Sequence, residues 1–265
     1  LEDESIRPII RTAFEQLGIE IKTGADIKKV VGQTAHFNQM NGEEIESEFT
    51  VDFDKVLIAI GRVPNIPQGL EAASIKSESY GVAVDSQYRT TNKNVYAVGD
   101  VSQRLKFTHV ADDVARQVVM RVVSKGLLRV SDKKAVPKVT YTQPEIAQVG
   151  MSWADAIEQY GEKKIMRVEV SFTHNDRAKT DETTDGVLVV IVKRLSGRVL
   201  GAHIVGPAAG EILNVFTLAI DQKVSMWKLQ KMIFAYPTYS LIVKKAADQF
   251  LGRQISDLKS DLWIF

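Results

Sequence analysis

Cysteine is absent from all 265 residues, which removes disulfides, thiolate metal sites and any cysteine nucleophile from this stretch of chain. Long apolar runs are absent too. None approaches the roughly 20 residues that a bilayer span requires, and the opening Leu1-Glu-Asp-Glu4 is acidic where a signal peptide is basic. No single sign of charge dominates: Lys+Arg number 34 and Asp+Glu 33, a net charge of +1, and neither sign is gathered into a block. Nucleic acid and membrane surfaces are therefore poor partners, and a small molecule or a second copy of the chain is the better expectation. A soluble cytoplasmic protein is the default. No Gly-x-Gly-x-x-Gly pattern occurs anywhere, so the loop that seats a pyrophosphate on a helix N-terminus is missing. His36, His174 and His203 show no ligand spacing, and no metal site is expected.

What is present is a globular composition. Hydrophobic residues make up 45% of the chain, enough for one large or two ordinary domains with their own cores. Apolar positions at Ile6, Ile9, Ile10, Phe14 and Leu17 predict a helix that Gly18 stops, followed by a strand at Ile19–Thr23. Alternating segments at 27–31, 34–37 and 46–51 predict a small antiparallel set with a turn at Asn41-Gly42. Asp54-Lys-Val-Leu-Ile-Ala-Ile-Gly61 is a continuous apolar run that suits a strand buried on both faces of a parallel sheet. Further on, a turn near Ser79-Tyr-Gly81, strands at 82–84 and 95–100 and a helix over 112–124 are expected, with Asp112 and Asp113 in the helix's first turn and Gly126 just past its end. From Pro137 the texture changes. Strands at 168–172, 187–193 and 199–205, the last two joined around Ser196-Gly197, and helices at 152–160, 210–222, 226–232 and 240–251 suggest an α+β module with helices on one side of an antiparallel sheet.

Three motifs carry the chemistry. Val56-Leu-Ile-Ala-Ile-Gly-Arg-Val-Pro-Asn65, Thr91-Asn-Lys-Asn-Val-Tyr-Ala-Val-Gly-Asp100 and Tyr141-Thr-Gln-Pro-Glu145 stand in an order and spacing that resembles the pyridine nucleotide-disulfide oxidoreductases, two-dinucleotide flavoenzymes that work as dimers. The resemblance covers residues 1–255 and points to the mercuric-reductase-like, dihydrolipoamide-dehydrogenase-like branch, carboxy-terminal part only. It implies an α/β and α+β architecture: the closing half of an NAD(P)-binding domain at 1–63, the returning segment of a Rossmann-like FAD-binding domain at 64–136, a dimerisation domain at 137–255 and an apolar tail at 256–265. Ser171-Phe-Thr-His-Asn-Asp-Arg-Ala178 and Gly201-Ala-His-Ile-Val-Gly-Pro-Ala-Ala-Gly-Glu211 match the dimerisation module, which implies a homodimer. The tail ending in Leu262-Trp-Ile-Phe265 either packs on its own domain or meets a partner.

Residue roles follow from the same resemblance. A strand-terminal Gly99-Asp100 taken alone reads first as a turn; with Thr90, Thr91 and Asn94-Val-Tyr-Ala upstream and Phe107-Thr-His-Val-Ala111 downstream, the resemblance reverses that and assigns Asp100 to a ribityl hydroxyl of FAD. It assigns the backbone N–H groups of Thr108, His109, Val110 and Ala111 to the flavin's pyrimidine edge, where a helix N-terminus favours a reduced, anionic ring. His109 would act through its backbone and packing, with proton transfer the lesser reading. Gly61, lacking a Cβ, would let a nucleotide approach closely. Disulfide-reducing relatives carry His-Pro-Thr and a glutamate as an acid–base pair where this chain has Tyr236-Pro-Thr238 and Leu241. Phenols ionise near about pH 10 and are poor bases at neutrality, so the usual proton shuttle is lost, and Tyr236 instead faces a metal-thiolate or other acceptor, as tyrosines do in mercuric reductases. Two readings remain: part of a FAD- and NAD(P)H-dependent oxidoreductase, or a catalytically inactive dimerisation fragment. A quinone- or sulfide-oxidising flavoprotein is a weaker third.

Overall fold

The computed structural model describes residues 4, 6–102, 105–131 and 135–262, the last with side chains to residue 258. Two compact units divide the chain, one formed by 23–133 and the other by 1–22 together with 134–265.

In the first unit, β1 (Ala25–Val31), β2 (Thr34–Asn41) and β3 (Glu44–Asp52) form an antiparallel sheet in that order. The expected turn forms one residue on, at Gly42-Glu43 between the paired Asn41 and Glu44, with Gly42 at φ +64°. Phe37 and Phe49 face each other across β2 and β3 and stack 5.1 Å apart. A two-stranded ribbon follows, β4 (Ser77–Glu78) and β5 (Gly81–Val82). Gly81 is obligatory there, because a Cβ would run into the Val101 carbonyl, the acceptor of the Val82 N–H at 2.7 Å. Helix α2 (Thr108–Val123) buries Val114 and Val118 against Val130, flanked by Tyr88, Tyr96 and Val98. It ends where Gly126, at φ +88°, turns its N–H to the Arg121 carbonyl at 2.8 Å.

Three expected strands do not form. Residues 19–23 are irregular, and 95–100 makes only an isolated bridge, Arg89 to Tyr96. The run 54–61 is neither a strand nor buried: Leu57 is 90% exposed and Ile60 95%. A strand is defined by the neighbour that accepts its hydrogen bonds; 19–23 and 54–61 have no neighbouring strand among the described residues, and 95–100 pairs only with residues 88–90, too briefly to extend into a ladder. The Asp112 and Asp113 expectation is corrected as well, since α2 begins four residues early at Thr108 and has no acidic residue in its first turn.

The second unit contains β6 (Lys138–Thr140), β7 (Glu145–Gly150), α3 (Trp153–Tyr160), β8 (Ile165–Ser171), α4 (Asp176–Thr180), β9 (Val187–Lys193), β10 (Val199–Gly206), α5 (Ala209–Asp221), α6 (Met226–Gln230) and α7 (Leu241–Leu262). The strands make one antiparallel sheet in the order β6-β7-β10-β9-β8. Alternation along β9 explains its unbroken apolar sequence. Leu188 and Val190 join the core that α5 and α7 cover with Ile212, Phe216, Ile242 and Phe250. Val187 and Val189 point the other way, to Ile146, Val205 and the buried Ile6 beside α1 (Arg7–Gln16). Each such side chain contributes about 1.5–3 kcal/mol on leaving water.

Local signals place the helices of this unit. Ser152 and Asp155 form a capping box that starts α3, while α5 starts without a side-chain cap after Ala208. Its orphan donor at Gly210 is met instead by Glu145 Oε2 at 3.0 Å. Helix α7 runs on to Leu262, past the expected stop at 251, so 256–262 of the predicted tail is helical. Residues 263–265 lie outside the described residues.

Candidate functional site

The first unit gathers motifs that are distant in sequence at the start of α2. Arg62 Nη1 donates to the Lys106 carbonyl at 3.2 Å, and Lys106 Nζ donates to the Arg62 carbonyl at 2.8 Å. This double bond ties Gly61-Arg62 to the entry of the helix. The Gly99-Asp100 turn lies against the same end: a Cβ on Gly99 would stand 3.6 Å from the Ala111 Cβ. Gly99 is at φ +82°, a left-handed conformation that suits glycine. Ser102 locks the turn from beyond it, its N–H on the Gly99 carbonyl at 3.0 Å and its hydroxyl on the Ala97 carbonyl at 2.9 Å.

Asp100 itself is exposed at this turn. Phe107, extended at φ −116°, is the N-cap of α2 and supplies no capping side chain. The first N–H groups of a helix have no intrahelical acceptor and carry the positive end of its dipole. Ala111 is past that point, its N–H already donated to the Phe107 carbonyl at 3.0 Å. The donors available to a ligand therefore come from the turn before it, at Thr108 and Val110, with His109 between them and stacked on Phe107 at 5.3 Å. Gly61, at φ +129°, has open space where a Cβ would be. The arrangement offers a carboxylate acceptor beside backbone donors, suited to a ligand with hydroxyl and carbonyl groups.

Among the described residues this end of the unit has no glycine-rich loop, and 54–61 does not form the strand that would lead into a nucleotide-binding crevice. These residues offer no seat for a pyrophosphate.

Tyr236 belongs to the second unit. Its side chain is in the open, 71% exposed, on a loop with a cis bond to Pro237, and Leu241 opens α7 just after it. The loop is held from behind. Asn175, fully buried, donates to the carbonyls of Thr238 at 3.2 Å and Tyr239 at 3.0 Å while accepting the Ala178 N–H as the cap of α4. The Tyr239 hydroxyl donates to Asp181 at 2.6 Å, and Arg177 Nε donates to the same carboxylate oxygen at 2.6 Å. Those two contacts, the tyrosine first, hold the Asp181 carboxyl below its ordinary range. Sequence reasoning passed over Asn175, although Asn175-Asp-Arg-Ala178 carries a helix-cap pattern, and over the Tyr239–Asp181 contact, for which no local signal exists.

Residues 136–247 match the family described as pyridine nucleotide-disulphide oxidoreductase, dimerisation domain, and residues 1–115 match pyridine nucleotide-disulphide oxidoreductase. The dihydrolipoyl dehydrogenase of Rhizobium etli is 30% identical over 261 residues, 97% of this chain and 53% of that protein. That of Haloferax volcanii is 32% identical over 263 residues, 97% and 54% respectively. In three dimensions the HOCl-induced flavoprotein disulfide reductase RclA from Escherichia coli superposes with a TM-score of 0.80 at 28% identity, over 94% of this chain and 55% of its own. The chain spans about half the length of the curated relatives it matches. No helix among the described residues is long and apolar enough to cross a membrane.

Proposed function

The chain belongs to the pyridine nucleotide-disulphide oxidoreductase family, whose cofactors are FAD and NAD(P), and on that premise we propose that it is the carboxy-terminal part of a FAD- and NAD(P)H-dependent oxidoreductase. Electrons would pass from nicotinamide through flavin to a disulfide, metal-thiolate or other acceptor. The main support is the convergence of Gly61-Arg62, Gly99-Asp100 and the uncapped start of α2, linked by the paired Arg62 and Lys106 bonds.

Bound FAD supplies the two-electron carrier that no side chain of this chain can provide. The residues here would position it. Asp100 would accept a hydrogen bond from a ribityl hydroxyl, and the N–H groups at Thr108 and Val110 would face the pyrimidine edge, where the helix dipole favours negative charge, with His109 acting through its packing on Phe107. Ala111 would take part through its small side chain beside Gly99. Tyr236, exposed and without a histidine–glutamate pair, would contact the acceptor rather than shuttle its proton. A homodimer through residues 137–255 with two-fold symmetry is part of this reading, since a dimerisation-domain match covers residues 136–247 and such interfaces are commonly isologous.

A second reading, a catalytically inactive dimerisation fragment, is favoured by the absent phosphate-binding loop and by the exposure of Leu57 and Ile60. One preparation separates the two. Light scattering should give a dimer, and titration with FAD should show quenching of flavin fluorescence that Asp100→Ala weakens. Unchanged FAD binding after Asp100→Ala would remove Asp100 from the flavin site, and a protein that retains no flavin after gel filtration from excess FAD would leave only the dimerisation role.

A further inference from the structure

The sheet of the second unit carries a polar row across its β6, β7 and β10 strands. Gln148 of β7 stands directly opposite Lys138 of β6 on one side and His203 of β10 on the other. Residues paired this way project to the same side of a sheet, here the side of Ile146, Val187, Val189 and Val205. With Ser152 and Asp155 at the start of α3, the three residues line a cavity of about 270 Å³.

Gln148 is 9% exposed and His203 2%, and among the described residues the Gln148 side chain makes no hydrogen bond and Lys138 no ion pair. The Gln148 amide opens on the cavity rather than being sealed in the core, and polar groups lining such a space in native proteins are normally matched by a bound molecule or ordered water. The charges around it are arranged by sign. His203 Nε2 lies 3.0 Å from the Met151 carbonyl; a carbonyl only accepts, so this nitrogen carries the proton. Asp155 is kept as a carboxylate by the Ser152 hydroxyl at 2.7 Å and the Ser152 N–H at 3.2 Å. The cavity thus has an ammonium and an amide donor on the sheet, and a carboxylate on the helix.

We propose that this cavity binds a small zwitterion of the amino-acid class, its carboxylate held by Lys138 Nζ and the Gln148 amide and its ammonium directed to Asp155. An anion alone would meet Lys138 but lie in the field of Asp155, and a cation alone would meet the reverse. The volume falls just below the usual range for ligand pockets of about 300–1,000 Å³, which suits a molecule of a few heavy atoms and excludes a dinucleotide. None of these residues belongs to the flavin reading, so the two stand or fall separately.

The test follows the side-chain amide of Gln148 by NMR in glutamine-labelled protein during titration with glycine and γ-aminobutyrate, with acetate and methylammonium as one-ended controls. At least one zwitterion should shift the Gln148 resonance saturably, about tenfold or more tighter than either control, and Lys138→Met and Asp155→Asn should each weaken it about tenfold, as expected for one charge-assisted contact. The same zwitterion should raise the melting temperature of the native protein but not of Gln148→Met, a variant that preserves side-chain length. Acetate binding as tightly as the zwitterions would reduce the site to an anion site and overturn the proposal. So would the absence of a saturable shift with all four probes, which would leave water as the occupant, or an unchanged affinity in Lys138→Met.

Discussion

Arg62 and Lys106, 44 residues apart, each donate a hydrogen bond to the other's backbone carbonyl, at 3.2 and 2.8 Å. Both side chains are thereby used to fix main chain rather than to meet an anion. Two exposed bonds of this kind contribute about 0.5–1.5 kcal/mol each. A double-mutant cycle on Arg62→Met and Lys106→Met should therefore show positive coupling of about 1 kcal/mol in urea unfolding. Independent, additive losses would mean that the two bonds do not act as a unit.

Asn175 should be among the least replaceable residues of the second unit. It caps α4 and holds two carbonyls of the Tyr236 loop while fully buried, so Asn175→Ala leaves three backbone groups without their partner. A loss of about 2–4 kcal/mol is expected, because each buried orphan costs its own desolvation. Limited proteolysis should show new cleavage around residues 236–239. An intact loop with unchanged stability would contradict this.

Acid should act through Asp181. Its pKa is lowered first by the Tyr239 hydroxyl and then by Arg177. A depressed folded-state value means that the contribution is complete above the ordinary aspartate value of about 3.9 and is lost as pH falls through the lower folded-state value. Tyr239→Phe should move the Asp181 titration, followed by carboxyl NMR, back upward. Asp181→Asn should make unfolding midpoints less sensitive to acid in that window. An Asp181 titration that ignores Tyr239→Phe would show the contact to be without effect.

Gly201 is predicted to tolerate no side chain. A Cβ there would collide with the Met151 carbonyl, and neighbouring Met151 atoms lie only 2.9 and 3.0 Å away, where β10 passes β7 at the start of α3. Gly201→Ala should cost about 3 kcal/mol or more, as overpacking against backbone does. Thermal melts of Gly201→Ala and of the exposed Gly252→Ala, which meets nothing within 4 Å, give the contrast. Equal melting temperatures would rule the collision out.

The run at 56–60 should make the protein associate. Leu57, Ile58 and Ile60 are 90%, 74% and 95% exposed, an apolar surface of the kind that marks contacts or aggregation. Leu57→Lys with Ile60→Lys should lower dye binding by 8-anilinonaphthalene-1-sulfonate and reduce concentration-dependent light scattering without loss of secondary structure. Unchanged scattering would place the sticky surface elsewhere.

Elements that carry their own instructions were legible in the residues. The hairpins at 25–52 have alternation and an Asn-Gly pair at the turn, and Ser152 and Asp155 announce α3. The strands at 187–193 and 199–206 are apolar runs with partners close in sequence. The start of α2 was misjudged because its cap is Phe107, which has no capping chemistry to recognise. The strands β6 and β7 were not anticipated, since three residues and a proline-led segment carry too short a pattern.

The sequence by itself determined the family, through motifs whose residues are adjacent along the chain, and the α+β character of residues 137–255, through periodicity within single elements. Tertiary structure alone decided which apolar runs become strands, because a strand exists only where another backbone accepts its hydrogen bonds. That separates 187–193, paired on both sides, from 54–61, which is left in solvent. It alone decided the register that aligns Lys138, Gln148 and His203 on one face. That register is a relation between three strands, and no one of them encodes it.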